Sequence, residues 1–93
     1  MSNKSLHRIG RNESLSSVLT ASNTIFIIED DFDIAGSSIT VGSHSTLEFR
    51  GGSIYNSGNA ERVINTSTGV TIINGTFNNV RIQVHGTNNS IYL

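Results

Sequence analysis

The sequence predicts an all-β fold, a right-handed parallel β-helix of about three coils preceded by a short arm, on three observations. From about Thr24 onward, short alternating apolar runs recur with an imperfect period of about 22 residues. Each period holds three such runs, the strand number of a coil wound around a three-sided prism. The chain also contains no proline, which suits a fold in which nearly every strand amide donates to the neighbouring coil.

Residues 1–23 read as a separate N-terminal arm. Lys4, Arg8 and Arg11 meet no acid before Glu13, and with Leu6, Leu15, Val18 and Leu19 they are expected to attach the chain to another protein. Asn12 is placed to cap a short helix in which Leu15, Val18 and Leu19 share one face at i, i+3, i+4 spacing. A helix of about two or three turns is stable only when docked. The segment therefore reads either as a flexible leader or as a helix covering the first coil.

Residues 24–93 read as the coils. A first column of strands runs through Ile25-x-Ile27, Leu47-x-Phe49, Val70-x-Ile72 and Ile91-x-Leu93, at intervals of 22, 23 and 21 residues. A second follows seven residues later at Phe32, Ile54 and Phe77. A third, less regular, holds Ile39-x-Val41, then Val63 and Ile64, then Ile82-x-Val84. Like side chains stacked on like side chains in these columns form the predicted core. Gly52 and Gly75 mark corners where positive φ or a close backbone approach is expected. Asn56 over Asn79 reads as an asparagine ladder or as turn residues chosen for local bonding. An antiparallel sandwich also uses short strands, but has no reason to repeat every third one.

At 93 residues the chain makes one domain or one piece of a longer repeat array. Hydrophobic residues are only 35 % and aromatics 6 %, so little apolar area can be buried, and the segment is not expected to stand as an independent monomer. Ile91-Tyr92-Leu93 would present an uncovered apolar edge. With 14 % charged residues and a net charge of -1 there is no footprint for nucleic acid. No apolar run approaches the ~18 residues of a membrane span, so neither nucleic acid nor membrane is an expected partner. The absence of cysteine removes disulfides and thiolate metal sites. MSNKSLHRIG lacks the apolar stretch of a secretory signal.

Residues 23–56 carry a family likeness. Asn23-Thr24-Ile25-Phe26, then Asp31-Phe32-Asp33-Ile34 with Gly36, then Leu47-Glu48-Phe49-Arg50-Gly51-Gly52-Ser53-Ile54 resemble the opening coils of pectate-lyase-like β-helix proteins, as in tailspike and fibre proteins of phages infecting gut Bacteroidales. The likeness covers about a third of the chain. Relatives typically carry a proline before the LKFEGG strand, where this chain has Val41-Gly42-Ser43-His44. The resemblance implies a homotrimeric fibre or spike in a virion, joined to other virion proteins through the arm, with a host-surface glycan as a possible ligand. Behind that reading it leaves two alternatives: the N-terminal part of a polysaccharide lyase or glycoside hydrolase, or a glycan-binding adhesin at the bacterial surface or secreted.

The residues themselves offer little chemistry, and no cofactor is expected. Asp30, Asp31 and Asp33, with Glu29, are the candidates for a calcium site, but strand alternation sends neighbouring carboxylates to opposite faces. In the repeat register Glu48 faces Thr71, while Asp31 and Asp33 face Ser53 and Tyr55, so no paired carboxylates for glycoside hydrolysis arise. Arg50, Arg62 and Arg81 could act as lyase bases only beside an acid ladder that the register does not supply. His7, His44 and His85 are isolated. Tyr55 and Tyr92 could each stack on a sugar, but two residues make no cleft.

Overall fold

A computed structural model of the chain describes residues 4–93 and shows a parallel β-solenoid of about four turns. The chain begins with β1 (Ser5–Arg8) and a single helical turn, α1 (Leu15–Val18). Three coils of three strands follow: β2 (Thr24–Ile28), β3 (Asp31–Asp33) and β4 (Ile39–Thr40); β5 (Thr46–Phe49), β6 (Ser53–Tyr55) and β7 (Val63–Asn65); β8 (Thr71–Ile73), β9 (Phe77–Asn78) and β10 (Arg81–Gln83). The last element, β11 (Ser90–Ile91), returns to the first sheet. The first sheet has the order β1-β2-β5-β8-β11, the second β3-β6-β9 and the third β4-β7-β10, and every strand pairing is parallel. Such pairing requires a crossover between neighbours, and here the crossover is the rest of the coil.

The second sheet follows the predicted register, with Phe32 on Ile54 and Ile54 on Phe77. In the third, Ile39, Ile64 and Ile82 stack. The first sheet departs from expectation by one residue at its start and by two at its third coil. Phe26, not Ile25, stands on Leu47, and Leu47 stands on Ile72, not Val70. The inward column is thus Phe26, Leu47, Ile72 and Ile91, with intervals of 21, 25 and 19 residues. Ile25 and Ile27 alternate with the core residues Phe26 and Ile28 and face outward. Ile25 is only half-buried; Ile27 is covered on the outer face between its register neighbours Arg8 and Glu48 and takes no part in the apolar cluster. Val70 is buried in the next inward column, beside Ser45.

A corner fixes this register. Asn23, His44, Gly69 and Asn88 occupy successive coils just before the first-sheet strands, and all four have left-handed φ, at 53°, 59°, 77° and 59°. Their amides run up the stack: Asn23 donates to the Ser43 carbonyl, His44 to Thr68 and Gly69 to Thr87. Asparagine, glycine and histidine are the residues that tolerate this conformation. From the third sheet into the first, the core positions lie 8, 8 and 9 residues apart (Ile39 to Leu47, Ile64 to Ile72, Ile82 to Ile91). From the second into the third they lie 7, 10 and 5 apart (Phe32 to Ile39, Ile54 to Ile64, Phe77 to Ile82), which explains the irregular third column.

The apolar core runs up the axis through Phe26, Ile28, Phe32, Ile39, Val41, Leu47, Phe49, Ile54, Ile64, Val70 and Ile72, with Phe77, Ile82 and Ile91 half-buried against it. Phe49 meets Phe77 edge-on at 5.1 Å between ring centroids, a favoured aromatic geometry. Val84 and Leu93 are not core: they are 55 % and 81 % exposed because no further coil covers them in this structure.

The arm expected over residues 1–23 is, where described, a coil of its own, which raises the coil count from three to four. β1 pairs along its whole length with β2, from Ser5 on Thr24 to Arg8 on Ile27. Helix α1 docks, with Leu15 and Leu19 buried and Val18 packed against the core. Its N-cap is Ser14, in extended conformation, rather than Asn12. The apolar triad that argued for a helix was the informative signal, whereas the charge pattern hid the preceding strand.

Candidate functional site

The two ends of the solenoid are built differently, and they are its most distinctive surfaces. At the N-terminal end the first coil folds down on the second. The His7 imidazole meets the Glu13 carboxylate at 2.9 Å, and the Gly10 amide donates to the same carboxylate at 2.7 Å. These bonds hold the Glu13 carboxyl below its ordinary range, the His7 contact contributing most. The His7 ring also lies against Phe26, at 5.9 Å between centroids. Arg8 pairs with Glu29 at 3.0 Å and Arg11 with Asp30 at 3.1 Å. Lys4 reaches the Thr46 hydroxyl of the second coil along at 3.5 Å. Beneath this polar surface Ile9, Leu15 and Leu19 seal the core, and the Gly42 amide donates to the Leu19 carbonyl at 2.8 Å.

Most of the residues expected to attach the chain elsewhere also have partners within it, the arginines through ion pairs at the surface. Arg8 and Arg11 pair with the chain's own acids, Leu15 and Leu19 are interior, and Leu6 is the exposed apolar side chain of β1, at 64 %. Glu13 escaped sequence reading although it organises the turn; the Gly10-x-x-Glu13 spacing, which lets a carboxylate reach back to an amide, was its signal.

The opposite end is open. Phe77, Val80, Ile82 and Ile91 are half-buried, while Val84, Tyr92 and Leu93 are largely exposed, Tyr92 at 61 %. β11 has a partner on one side only, since it ends the five-stranded sheet. At this end unpaired strand backbone coincides with a cluster of exposed apolar side chains, whereas β1, the other edge of the same sheet, exposes Leu6 alone.

The acidic corner does not gather into a cation site. Asp30 faces Arg11, Asp31 accepts from the Ser53 hydroxyl at 2.8 Å, and Asp33 accepts from the Ser57 hydroxyl at 2.5 Å and the Ala35 amide at 3.0 Å. The Ser57 bond, foremost, lowers the Asp33 carboxyl below its ordinary range. Among the described residues no three His, Cys, Asp or Glu side chains converge as metal ligands. The expected pairing of Asp31 with Ser53 and Asp33 with Tyr55 is present, whereas Glu48 faces Ile73 rather than Thr71 and is paired with Arg50. His85 bonds Asn65 at 3.2 Å, and His44 forms the left-handed corner. Asn56 and Asn79 stack, but not as an amide ladder: the Asn79 side chain donates to the Asn56 backbone carbonyl at 3.1 Å. Tyr55 lies in the second sheet and Tyr92 at the open end, so no pair of rings frames a cleft.

A concavity of about 210 Å³ separates Glu13, Ser14 and Leu15 from Phe32, Asp33 and Ser37, short of the ~300–1,000 Å³ of pockets for organic ligands. A second, of about 330 Å³ beside Arg62, Asn79 and Arg81, reaches the low edge of that range but is a shallow, open depression. No helix among the described residues is long and apolar enough to cross a membrane. In comparisons with protein-family models, curated proteins and solved structures, the chain matches none of them.

Proposed function

We propose that this chain is a structural module, the closed start of a trimeric fibre or spike-like β-helix in a virion, with its open last coil as the surface through which the assembly continues. The observation that carries this reading is the asymmetry of the ends: one sealed by Leu15, Leu19 and the His7–Glu13 turn, the other leaving Val84, Tyr92 and Leu93 uncovered. Each coil of a solenoid buries its apolar face only against a neighbour, so the uncovered coil offers a surface for further packing. The virion and the trimer come from the likeness of residues 23–56 to phage fibre proteins. Attachment by a loose basic arm is no part of the proposal, since Arg8 and Arg11 are paired within the coil.

Two measurements test it. Sedimentation of the 93-residue chain is expected to show a trimer or larger species, and a compact monomer that melts cooperatively overturns the assembly reading. Antibodies raised against the chain are expected to decorate an appendage of phage particles. Labelling confined to the bacterial envelope or the culture medium overturns the virion reading in favour of a cell-surface or secreted protein.

A further inference from the structure

We infer that Asn74-Gly75 is a self-modification site, a latent deamidation centre whose reactivity is gated by docking of the last strand. The reaction is intramolecular. The Gly75 nitrogen attacks the Asn74 side-chain carbonyl carbon, the Cγ–Nδ2 bond breaks, and ammonia leaves with the proton lost from Gly75. Water then opens the five-membered imide at either carbonyl, leaving aspartate or isoaspartate. No oxidant or cofactor is needed, and a glycine in the second position gives the least shielded nitrogen.

The structure supplies both halves of the chemistry and a lock on it. Asn74 is exposed, in left-handed conformation with φ 56°, at the corner after β8. The nucleophile is held: the Gly75 amide donates to the Tyr92 carbonyl at 3.0 Å. The Gly75 α-carbon is also covered, since a β-carbon there would lie 2.8 Å from both Leu93 Cδ2 and Phe77 Cε2. Ring closure requires that this hydrogen bond break and that the peptide turn toward the side chain. The lock belongs to the least covered part of the solenoid, because Tyr92 and Leu93 are 61 % and 81 % exposed and β11 is two residues long. Short edge strands with little apolar cover open locally well below the free energy of global unfolding. In the sequence no other asparagine precedes a glycine, and among the described residues Asn56 is buried with its following amide, that of Ser57, bonded to Asp33, while Asn89 spends its side-chain oxygen on the Val70 amide.

A further consequence is that modification is self-reinforcing. Either product places a carboxylate in the corner beneath Tyr92 and Leu93, and isoaspartate lengthens the backbone there, so the strand that protected the site docks less well.

The 93-residue chain is incubated in mildly alkaline buffer and sampled by intact mass, which rises by the difference between water and ammonia. The tryptic peptide from Val63 to Arg81 is then fragmented to locate the change. Modification is expected chiefly at Asn74 and to be about tenfold faster in Tyr92→Pro, which removes the Tyr92 amide bond to Ile72 and opens the strand. Because that variant can lose more than one strand, the wild-type chain is also followed in urea below its unfolding transition, where the rate is expected to climb before global structure is lost. Equal rates in wild type and Tyr92→Pro, a rate flat until global unfolding, or modification mainly at another asparagine each overturn the inference.

Discussion

Single residues decide the register of this solenoid. Phe26 is interior and Ile25 faces outward, although both are apolar and adjacent. Phe26→Ala is expected to cost about 3–5 kcal/mol, while Ile25→Ala is expected to cost less than about 1 kcal/mol; urea unfolding midpoints measure both, and equal losses would contradict the register. The sequence pattern alone made these two residues interchangeable, because Ile25-x-Ile27 and Phe26-x-Ile28 alternate equally well. What separates them is the left-handed corner before β2, legible in retrospect from Asn23, His44, Gly69 and Asn88 preceding four strands. His44→Val at that corner is expected to destabilise by roughly 1–2 kcal/mol and His44→Asn to be neutral or better, again read from unfolding midpoints. Gly52 was foreseen as a corner residue, and its reason is contact: a β-carbon there would strike the Asp30 backbone of the coil before. Gly36, with open space around its α-carbon, is the contrasting position. Gly52→Ala is expected to lose about 1–3 kcal/mol and Gly36→Ala almost nothing.

At the scale of elements, α1 shows how four helical residues persist where an isolated helix of that length cannot. Burial of Leu15 and Leu19 holds it, and Leu19→Ala is expected to cost about 2–5 kcal/mol. The turn that delivers α1 depends on the Glu13 carboxylate. A carboxyl whose value is lowered on folding adds stability above its unfolded value and loses that contribution as pH falls through the folded one. Glu13 and Asp33 are both lowered, the first foremost by His7 and the second foremost by Ser57. Thermal stability is thus expected to decline below about pH 4, and the double variant Glu13→Gln, Asp33→Asn is expected to flatten that decline; an unchanged acid slope would exclude these two groups as its source. The elements of the second sheet were fully legible because Phe32, Ile54 and Phe77 recur at nearly constant spacing. β1 was not, because Ser-Leu-His-Arg carries a single strongly apolar residue and that residue, Leu6, points outward.

For the molecule as a whole, the composition leaves little apolar area to bury, and among the described residues the exposed large apolar side chains other than Leu6, namely Val84, Tyr92 and Leu93, lie toward one end. Val84→Lys combined with Leu93→Lys is expected to shift the chain toward monomer in sedimentation, since both residues lie on the uncovered coil; the same oligomer in wild type and variant would move the interface elsewhere. Fold class was legible because repetition is a global signal that survives local errors of one or two residues. The ends were not, because a repeat describes what a coil does to its neighbour and is silent about a coil that lacks one.

The uneven step from the second sheet to the third has a consequence for how such a chain can change. Its lengths of 7, 10 and 5 residues are all accommodated while the columns on either side stay stacked. That edge of the prism is a tolerant margin, and the step into the first sheet, held at 8 or 9 residues by its left-handed corner, is an intolerant one. Insertions and deletions should accumulate mainly along that seam, around Ser57-Gly58-Asn59-Ala60 in the longest turn, since the step from the first sheet into the second varies only between 5 and 7 residues. A foreign peptide grafted there would be displayed from a rigid rack, whereas the same graft beside His44 would unwind the coil that carries it.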